Sequence, residues 1–182
     1  MSVNTIVLER FDITKSYNGI KKFNCGHEMI NRFAINSLKQ NVKNNMCQAY
    51  VLLDTSLNDK FIAYYNIMAF SIAKESFNTA PSGSTKQIPV LRLVMLGVDV
   101  AYAGEGLGSK LLKHSLELTL KLSSETGIAG LYLDAEDGKH DFYRRRGFVS
   151  IKEPDSLTNI LPMFISVGTI EEAKQVVRAA RS

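Results

Sequence analysis

Between Tyr102 and Leu112 the chain reads Tyr-Ala-Gly-Glu-Gly-Leu-Gly-Ser-Lys-Leu-Leu, with Gly104, Gly106 and Gly108 alternating where an apolar run gives way to a helical pattern. Glycine admits backbone conformations closed to residues with a Cβ and lets a ligand approach the main chain, while the first N–H groups of the following helix point at an anion. The segment reads as a pyrophosphate cradle between a strand and a helix. Three glycines ahead of a helix occur in many folds, so the residues around them decide what the cradle is for. Tyr143, in Phe142-Tyr143-Arg144-Arg145-Arg146-Gly147-Phe148, follows the next strand and supplies a candidate proton donor for the same site.

The flanking pattern is that of an α/β chain. Met29, Ile30, Phe33, Ser37 and Leu38 at helical spacing predict a first helix over Gly26 to Val42 with those residues in its core face. Gln48 to Leu53 and Phe61 to Phe70 form two strand runs joined by a turn at Leu57-Asn58-Asp59-Lys60, an antiparallel pair. Asn78 to Pro89 is rich in Ser, Thr, Gly and Pro and reads as an exposed loop able to wall or cover a substrate site. Val90 to Val100 reads as a central strand buried on both faces, and Gly97 within it marks a bulge or a close approach by another backbone or a ligand.

Beyond the glycines, Leu107, Leu111, Ser115, Leu118 and Leu122 make one helical stripe, broadened by Leu112, Leu116 and Leu120, with Gly127 as the stop. A strand at Ile128 to Ala135, a short helix from Lys139 to Arg146 ended by Gly147, and strands at Phe148 to Ile151 and Leu161 to Val167 complete the order. Thr169-Ile170-Glu171-Glu172 fits a capping box that opens a C-terminal helix through Ala180. Strands first, then strand, loop, helix, strand, helix and strand, predict a mixed central β-sheet flanked by helices.

A length of 182 residues with 45% hydrophobic content is enough for one domain with a full core, taken as residues 1–182, without metal or disulfide staples. Cys25 and Cys47 lack CxxC or Cys/His spacing and read as reduced, buried thiols, so no metal site is expected. Met1 to Asp12 has no apolar core of signal-peptide length and no stretch is long enough to cross a bilayer, so the expectation is a cytoplasmic protein without a membrane partner. The 22 Lys and Arg against 18 Asp and Glu give a net charge of +4, a mild bias that suits either a polyanionic partner or an ordinary basic surface.

Taken together these residues resemble the GNAT superfamily of acyl-CoA-dependent N-acetyltransferases. Ala103-Gly104-Glu105-Gly106-Leu107-Gly108 is similar to its Gln/Arg-x-x-Gly-x-Gly/Ala pyrophosphate loop, with Ala103 standing where the family has a polar residue. Leu96-Gly97-Val98-Asp99 resembles its Leu-Ala-Val-Asp strand end, and Phe142-Tyr143 with Arg146-Gly147-Phe148 resembles its Phe-Tyr-x-x-x-Gly-Phe signature. Phe23-Asn24-Cys25-Gly26, Ala63-Tyr64-Tyr65 and Phe164 to Ile170 are similar to segments of the acetyltransferase toxins of bacterial type II toxin-antitoxin pairs. The resemblance implies a GNAT (acyl-CoA N-acyltransferase) fold, acetyl-CoA as donor, and the amino group of an aminoacyl-tRNA as acceptor, whose capping blocks translation. It also implies a small DNA-binding antitoxin and a homodimer as possible partners.

The resemblance assigns roles to residues. Backbone N–H groups from Glu105 to Ser109 would hold the pyrophosphate, helped by Lys110, while Leu96, Gly97 and Val98 would pair with the pantetheine arm and polarise the thioester carbonyl. Tyr143 is the candidate general acid: a phenol with a pKa of about 10 stays protonated where a thiolate, of pKa about 8.5, departs. The alternative for Tyr143 is an aromatic packed under the CoA arm. Glu136 and Asp137 are candidates for a base or turn carboxylates capping the helix that follows, His140 either reaches the site or is a surface helix residue, His27 reads as structural, and His114, away from the pyrophosphate end, is assigned no role. Arg144, Arg145 and Arg146 form the densest basic cluster, either meeting phosphates of CoA or an acceptor stem or lying on a solvated helix face. Two rival functions stay open: an acetyltransferase for a metabolite amine or a protein N-terminus, and a CoA- or partner-binding module without catalysis.

Overall fold

The computed structural model describes residues 5–83 and 85–180. Ser84, within the expected Asn78 to Pro89 loop, and the first four residues of the Met1 to Asp12 stretch lie outside them. The strand formers build a seven-stranded sheet from β1 (Ile6–Arg10), β2 (Gln48–Asp54), β3 (Lys60–Ala73), β4 (Gln87–Val98), β5 (Gly130–Ala135), β6 (Val149–Ser150) and β7 (Leu161–Ser166), in the order β1-β2-β3-β4-β5-β7-β6. β4 and β5 run parallel, whereas β1 with β2, β2 with β3, β5 with β7 and β6 with β7 are antiparallel, so the sheet is mixed as the element order predicts. The helices are α1 (Glu28–Arg32), α2 (Leu38–Lys43), α3 (Leu107–Thr126), α4 (His140–Arg144) and α5 (Val167–Ala179). Contacts gather into two units, one running up to Met68 and including Leu93–Lys113, the other comprising Ala69–Arg92 and the chain from His114 onward.

In the first unit, β1 pairs with β2 from Ile6 opposite Asp54 to Arg10 opposite Tyr50, a strand that the sequence pattern did not announce. The β2-β3 hairpin turns where expected. Asp54 accepts the Ser56 N–H at 3.0 Å, and Asn58 and Asp59 take left-handed φ of 57° and 52°, which short polar side chains tolerate better than others. The expected first helix starts at Glu28 and is interrupted by a π-helical segment at Phe33–Ser37 before α2. A π turn shifts the phase of the helix face, yet Ile30, Phe33 and Leu38 of the expected stripe still pack into the core. Ala34, Leu38 and Val42 join Phe23, Phe61 and Tyr64 in the core, whereas Met29, expected inside, is 61% exposed.

Gly97 is explained by packing from this unit. A Cβ there would lie 2.8 Å from Ile30 Cγ2 and 3.2 Å from Cys25 Sγ, so side chains of α1 and of the segment ahead of it approach closely at this glycine. Cys25 is half-buried, Cys47 is buried, and neither is in a disulfide.

β4, of which Gln87 to Arg92 belong to the second unit and Leu93 onward to the first, begins three residues before the expected start, because Ile88 and Val90 alternate into the core together. Residues 87–89 of the expected loop are therefore strand. The strand is not buried on both faces either: Arg92, Val94, Leu96 and Val98, all on one face, remain half-exposed. α3 runs to Thr126 and stops at Gly127, whose φ of 71° ends the helix. Its buried stripe is Leu107, Leu111, Leu112, Ser115 and Thr119, while Leu116, Leu118, Leu120 and Leu122 are half-buried. β5 begins at Gly130, and a Cβ on that glycine would sit 2.1 Å from the Ile165 carbonyl oxygen of β7. β6 is only two residues long, although its neighbours Phe148 and Ile151 are buried. The cap of α5 is Ser166, whose Oγ accepts the Thr169 N–H at 3.1 Å, so Thr169 sits in the first turn and not at the cap.

Candidate active site

The glycine loop is shaped by what precedes it. Asp99, almost fully buried, ends β4 and caps a single 3-10 turn at Val100–Tyr102 by accepting the Ala101 N–H at 3.0 Å. Its other oxygen accepts the Asn24 N–H at 3.3 Å, and the Asn24 carbonyl accepts the Val100 N–H at 2.8 Å. The Asn24 side chain turns the chain at Gly26, accepting its N–H at 2.9 Å, and Asn31 from α1 donates to the same oxygen at 3.0 Å. The Phe23-Asn24-Cys25-Gly26 segment is thus stitched to the strand end that launches the loop, which gives the motif a physical task.

Residues 103–106 are exposed, and Gly104 and Gly106 hold φ of 82° and 75° with open space where a Cβ would point. Glycine is required there by conformation. Gly108 faces Leu96 and Val98, each 3.9 Å from an ideal Cβ, so the start of α3 rests on the half-open face of β4. Within α3 the Lys110 N–H reaches back to the Gly106 carbonyl at 3.0 Å, which opens a 20-residue helix directly after the glycines. The turn geometry and the helix start have the form of the anion cradle expected from the sequence. Ala103 adds no polar side chain, and its own N–H is taken by the Val100 carbonyl at 3.2 Å. Lys110, expected as a phosphate partner, donates to the Ile6 carbonyl at 3.3 Å.

Tyr143 lies in the second unit on α4, half-buried, with its ring edge-on to Phe142 and Phe148 at centroid distances of 5.1 and 5.6 Å. Its hydroxyl makes no hydrogen bond among the described residues. Burial, reinforced by the negative charge of Glu136 and opposed by Arg146, pushes its pKa up to about 12. The three arginines do not act as one face. Arg144 pairs with Asp141 at 3.1 Å, Arg146 lies over the Phe142 ring at 3.6 Å and donates to the Phe142 carbonyl at 2.7 Å, and Arg145 projects to the exposed surface.

Other titratable residues have structural occupations. Asp137 accepts from the Asn159 side chain at 2.6 Å and the His140 ring contacts the Asn159 carbonyl at 3.0 Å, so both pin one loop. His114 is held below its ordinary pKa by burial within α3. The loop at residues 77–82 walls a cavity of about 600 Å³ that is also lined by Ser150, Phe164 and Thr169. No cluster among the described residues could hold a metal ion, and no described helix is long and apolar enough to cross a membrane.

Sequence reasoning missed Arg92. It is half-exposed on β4, donates to Asp134 at 2.7 Å and lies against Phe70 and Tyr132. A charge inside an otherwise apolar strand run was the signal available for it.

The acetyltransferase (GNAT) domain model matches residues 47–150, and the chain belongs to that family. It is similar to a solved bacterial toxin at 32% identity, covering 93% of this chain and 95% of that one with a TM-score of 0.88. It is also similar to AtaTR bound with acetyl-CoA, at 25% identity over 94% and 99% of the two chains with a TM-score of 0.78, and to a Tyr-to-Phe mutant of KacT, at 25% identity over 93% and 99% with a TM-score of 0.80. The fold is the GNAT fold expected from the motifs, and the family is one of acetyltransferases.

Proposed function

We propose that the protein is a toxin-type acetyltransferase whose acceptor is the α-amino group of an aminoacyl-tRNA, so that its product cannot enter elongation. The observation that carries this reading is the likeness to a bacterial toxin along nearly the whole length of both chains. Residues 1–182 act as one domain in this proposal, working where charged tRNA is found, with a small DNA-binding antitoxin as partner and a second copy as dimer mate.

Glycine-loop amides from Glu105 to Ser109 hold the pyrophosphate, and the Leu96-Gly97-Val98 backbone aligns the pantetheine arm and polarises the thioester carbonyl. The amine nitrogen attacks the acetyl carbon, the tetrahedral intermediate collapses, and the C–S bond breaks. Tyr143 gives its proton to the departing sulfur and regains one from solvent, which takes the proton released by the amine. A phenol held protonated up to about 12 suits the donor role. The acceptor needs no dedicated base, because an α-amine of pKa about 7.7 to 8.0 is substantially neutral near pH 7.5, whereas a lysine amine near 10.4 is not.

Labelled acetyl-CoA offered in parallel to charged tRNA, uncharged tRNA, polyamines and peptides tests the reading. Label confined to charged tRNA supports it, and label on a polyamine or peptide alone replaces it with a metabolite or N-terminal acetyltransferase.

A further inference from the structure

Arg92 is fixed where an ordinary surface arginine would be mobile. Its Nη2 donates to Asp134 Oδ2 at 2.7 Å, and Tyr132, opposite it in the β4-β5 register, donates its hydroxyl to Asp134 Oδ1 at 2.5 Å. The guanidinium carbon lies 5.0 Å from the Phe70 ring centre and 5.8 Å from that of Tyr132, and the two rings stack at 5.6 Å with 23° between their planes. Phe70 and Arg92 thus present a ring and a guanidinium at the surface, backed by Tyr132, which is 8% exposed and packs into the core.

Two features remain unused by the fold. Phe70 leaves 37% of its surface exposed, and Arg92 Nε is buried with no hydrogen-bond partner among the described residues. A pair serving only to hold the sheet would cover the ring and satisfy the donor. The platform also leads toward the proposed acid. Strand alternation puts Tyr132 and Asp134 on one face of β5, and Glu136, just past its end, continues that alternation and acts on Tyr143 through its charge. Four residues of strand, about 13 Å, separate Tyr132 from Glu136.

Unpaired nucleobases are held by aromatic rings and arginine planes of this kind, because every base offers a π-face. Resting on the aminoacyl-tRNA reading above, we propose that Phe70 and Arg92, backed by the buried Tyr132, form the stacking platform for the terminal base of the acceptor's single-stranded 3′ end. The aminoacyl group then runs along β5 toward Tyr143. The platform makes the enzyme select the nucleotide that carries the amino acid as well as the amine.

The test compares kcat/KM for a charged tRNA with kcat/KM for the ethyl ester of the same amino acid, which offers the same α-amine without a base. Phe70→Ala is expected to lower the tRNA-to-ester ratio about tenfold, the loss of one stacked base, and Phe70→Tyr to restore it. Arg92→Lys, which keeps the charge and loses the plane, is expected to lower the ratio as well, and serves alone if Phe70→Ala lowers the melting temperature below the assay temperature. An unchanged ratio in these variants, or an equal loss on both acceptors, overturns the platform while leaving the tRNA reading standing. Wild-type protein that acetylates the ester and not the charged tRNA overturns both.

Discussion

Ile30 occupies the space that a β-carbon on Gly97 would need, with its Cγ2 only 2.8 Å from that position. The methyl belongs to a β-branched side chain on a packed helix and has little room to move. Gly97→Ala is expected to cost about 1–3 kcal/mol through overpacking. The midpoint of urea unfolding reads it, and combining the change with Ile30→Ala should cost less than the sum of the single losses. Strict additivity would remove Ile30 as the cause.

Asp99 ties the end of β4 to the Asn24 amide and to the turn ahead of the glycines. Its replacement by Ala leaves two N–H groups without their charged acceptor, a loss of roughly 1.5–3 kcal/mol. Because the turn launches the cradle, Asp99→Ala should also raise the KM for acetyl-CoA more than it lowers kcat. Calorimetric titration with CoA checks this, and unaltered CoA affinity in a folded variant would contradict it.

Tyr143 carries a pH signature whose sign follows from its raised pKa. The folded phenol ionises near 12 and an unfolded one near 10, so the folded state retains a proton that the unfolded state has already lost between those values. The stability that this group contributes is fully present below about pH 10 and is lost as pH rises toward 12. Tyr143→Phe should flatten that alkaline loss in denaturation curves. In the wild type the acid limb of kcat/KM should track the acceptor amine, with no fall assignable to Tyr143 below about pH 10.

Arg145 is the member of the basic run left exposed while Arg144 and Arg146 are engaged with Asp141 and Phe142. If it meets an RNA phosphate, Arg145→Ala should raise the KM for charged tRNA and reduce the salt slope of log(kcat/KM) by about 0.7–0.9, the value of one phosphate contact. Arg144→Ala should change the slope less. Equal effects at the two positions would return the run to a solvated helix face.

Much of this was legible because it depends on local patterning. Gly104 and Gly106 announced a loop that needs left-handed backbone, Gly127 announced a helix stop, and the apolar run from Val90 announced a strand, though not its half-open face. What escaped depends on partners distant in sequence. β1 is defined by its pairing with β2, and Met29 lies exposed beside Ile30, which takes the core-facing position on the first turn of the helix. Ser166 caps α5 because the strand ends there, a boundary that the Thr169-Ile170-Glu171-Glu172 pattern does not encode. Lys110 turned to the Ile6 carbonyl, a contact across 104 positions. The Phe70, Arg92, Tyr132 and Asp134 group draws on three strands, and only the lone charge in an apolar run hinted at it.

The central claim is acetyl transfer from acetyl-CoA to an aminoacyl-tRNA with Tyr143 as proton donor. It is tested most directly by single-turnover acetylation of charged tRNA, read by mass spectrometry of the released amino acid, in wild type and Tyr143→Phe. The account predicts N-acetylated amino acid with the wild type and a rate about 10² to 10⁴ lower in the variant, with CoA affinity within a few-fold. Full-rate transfer by Tyr143→Phe, or a charged tRNA left unmodified by a wild type that acetylates another amine, would contradict it.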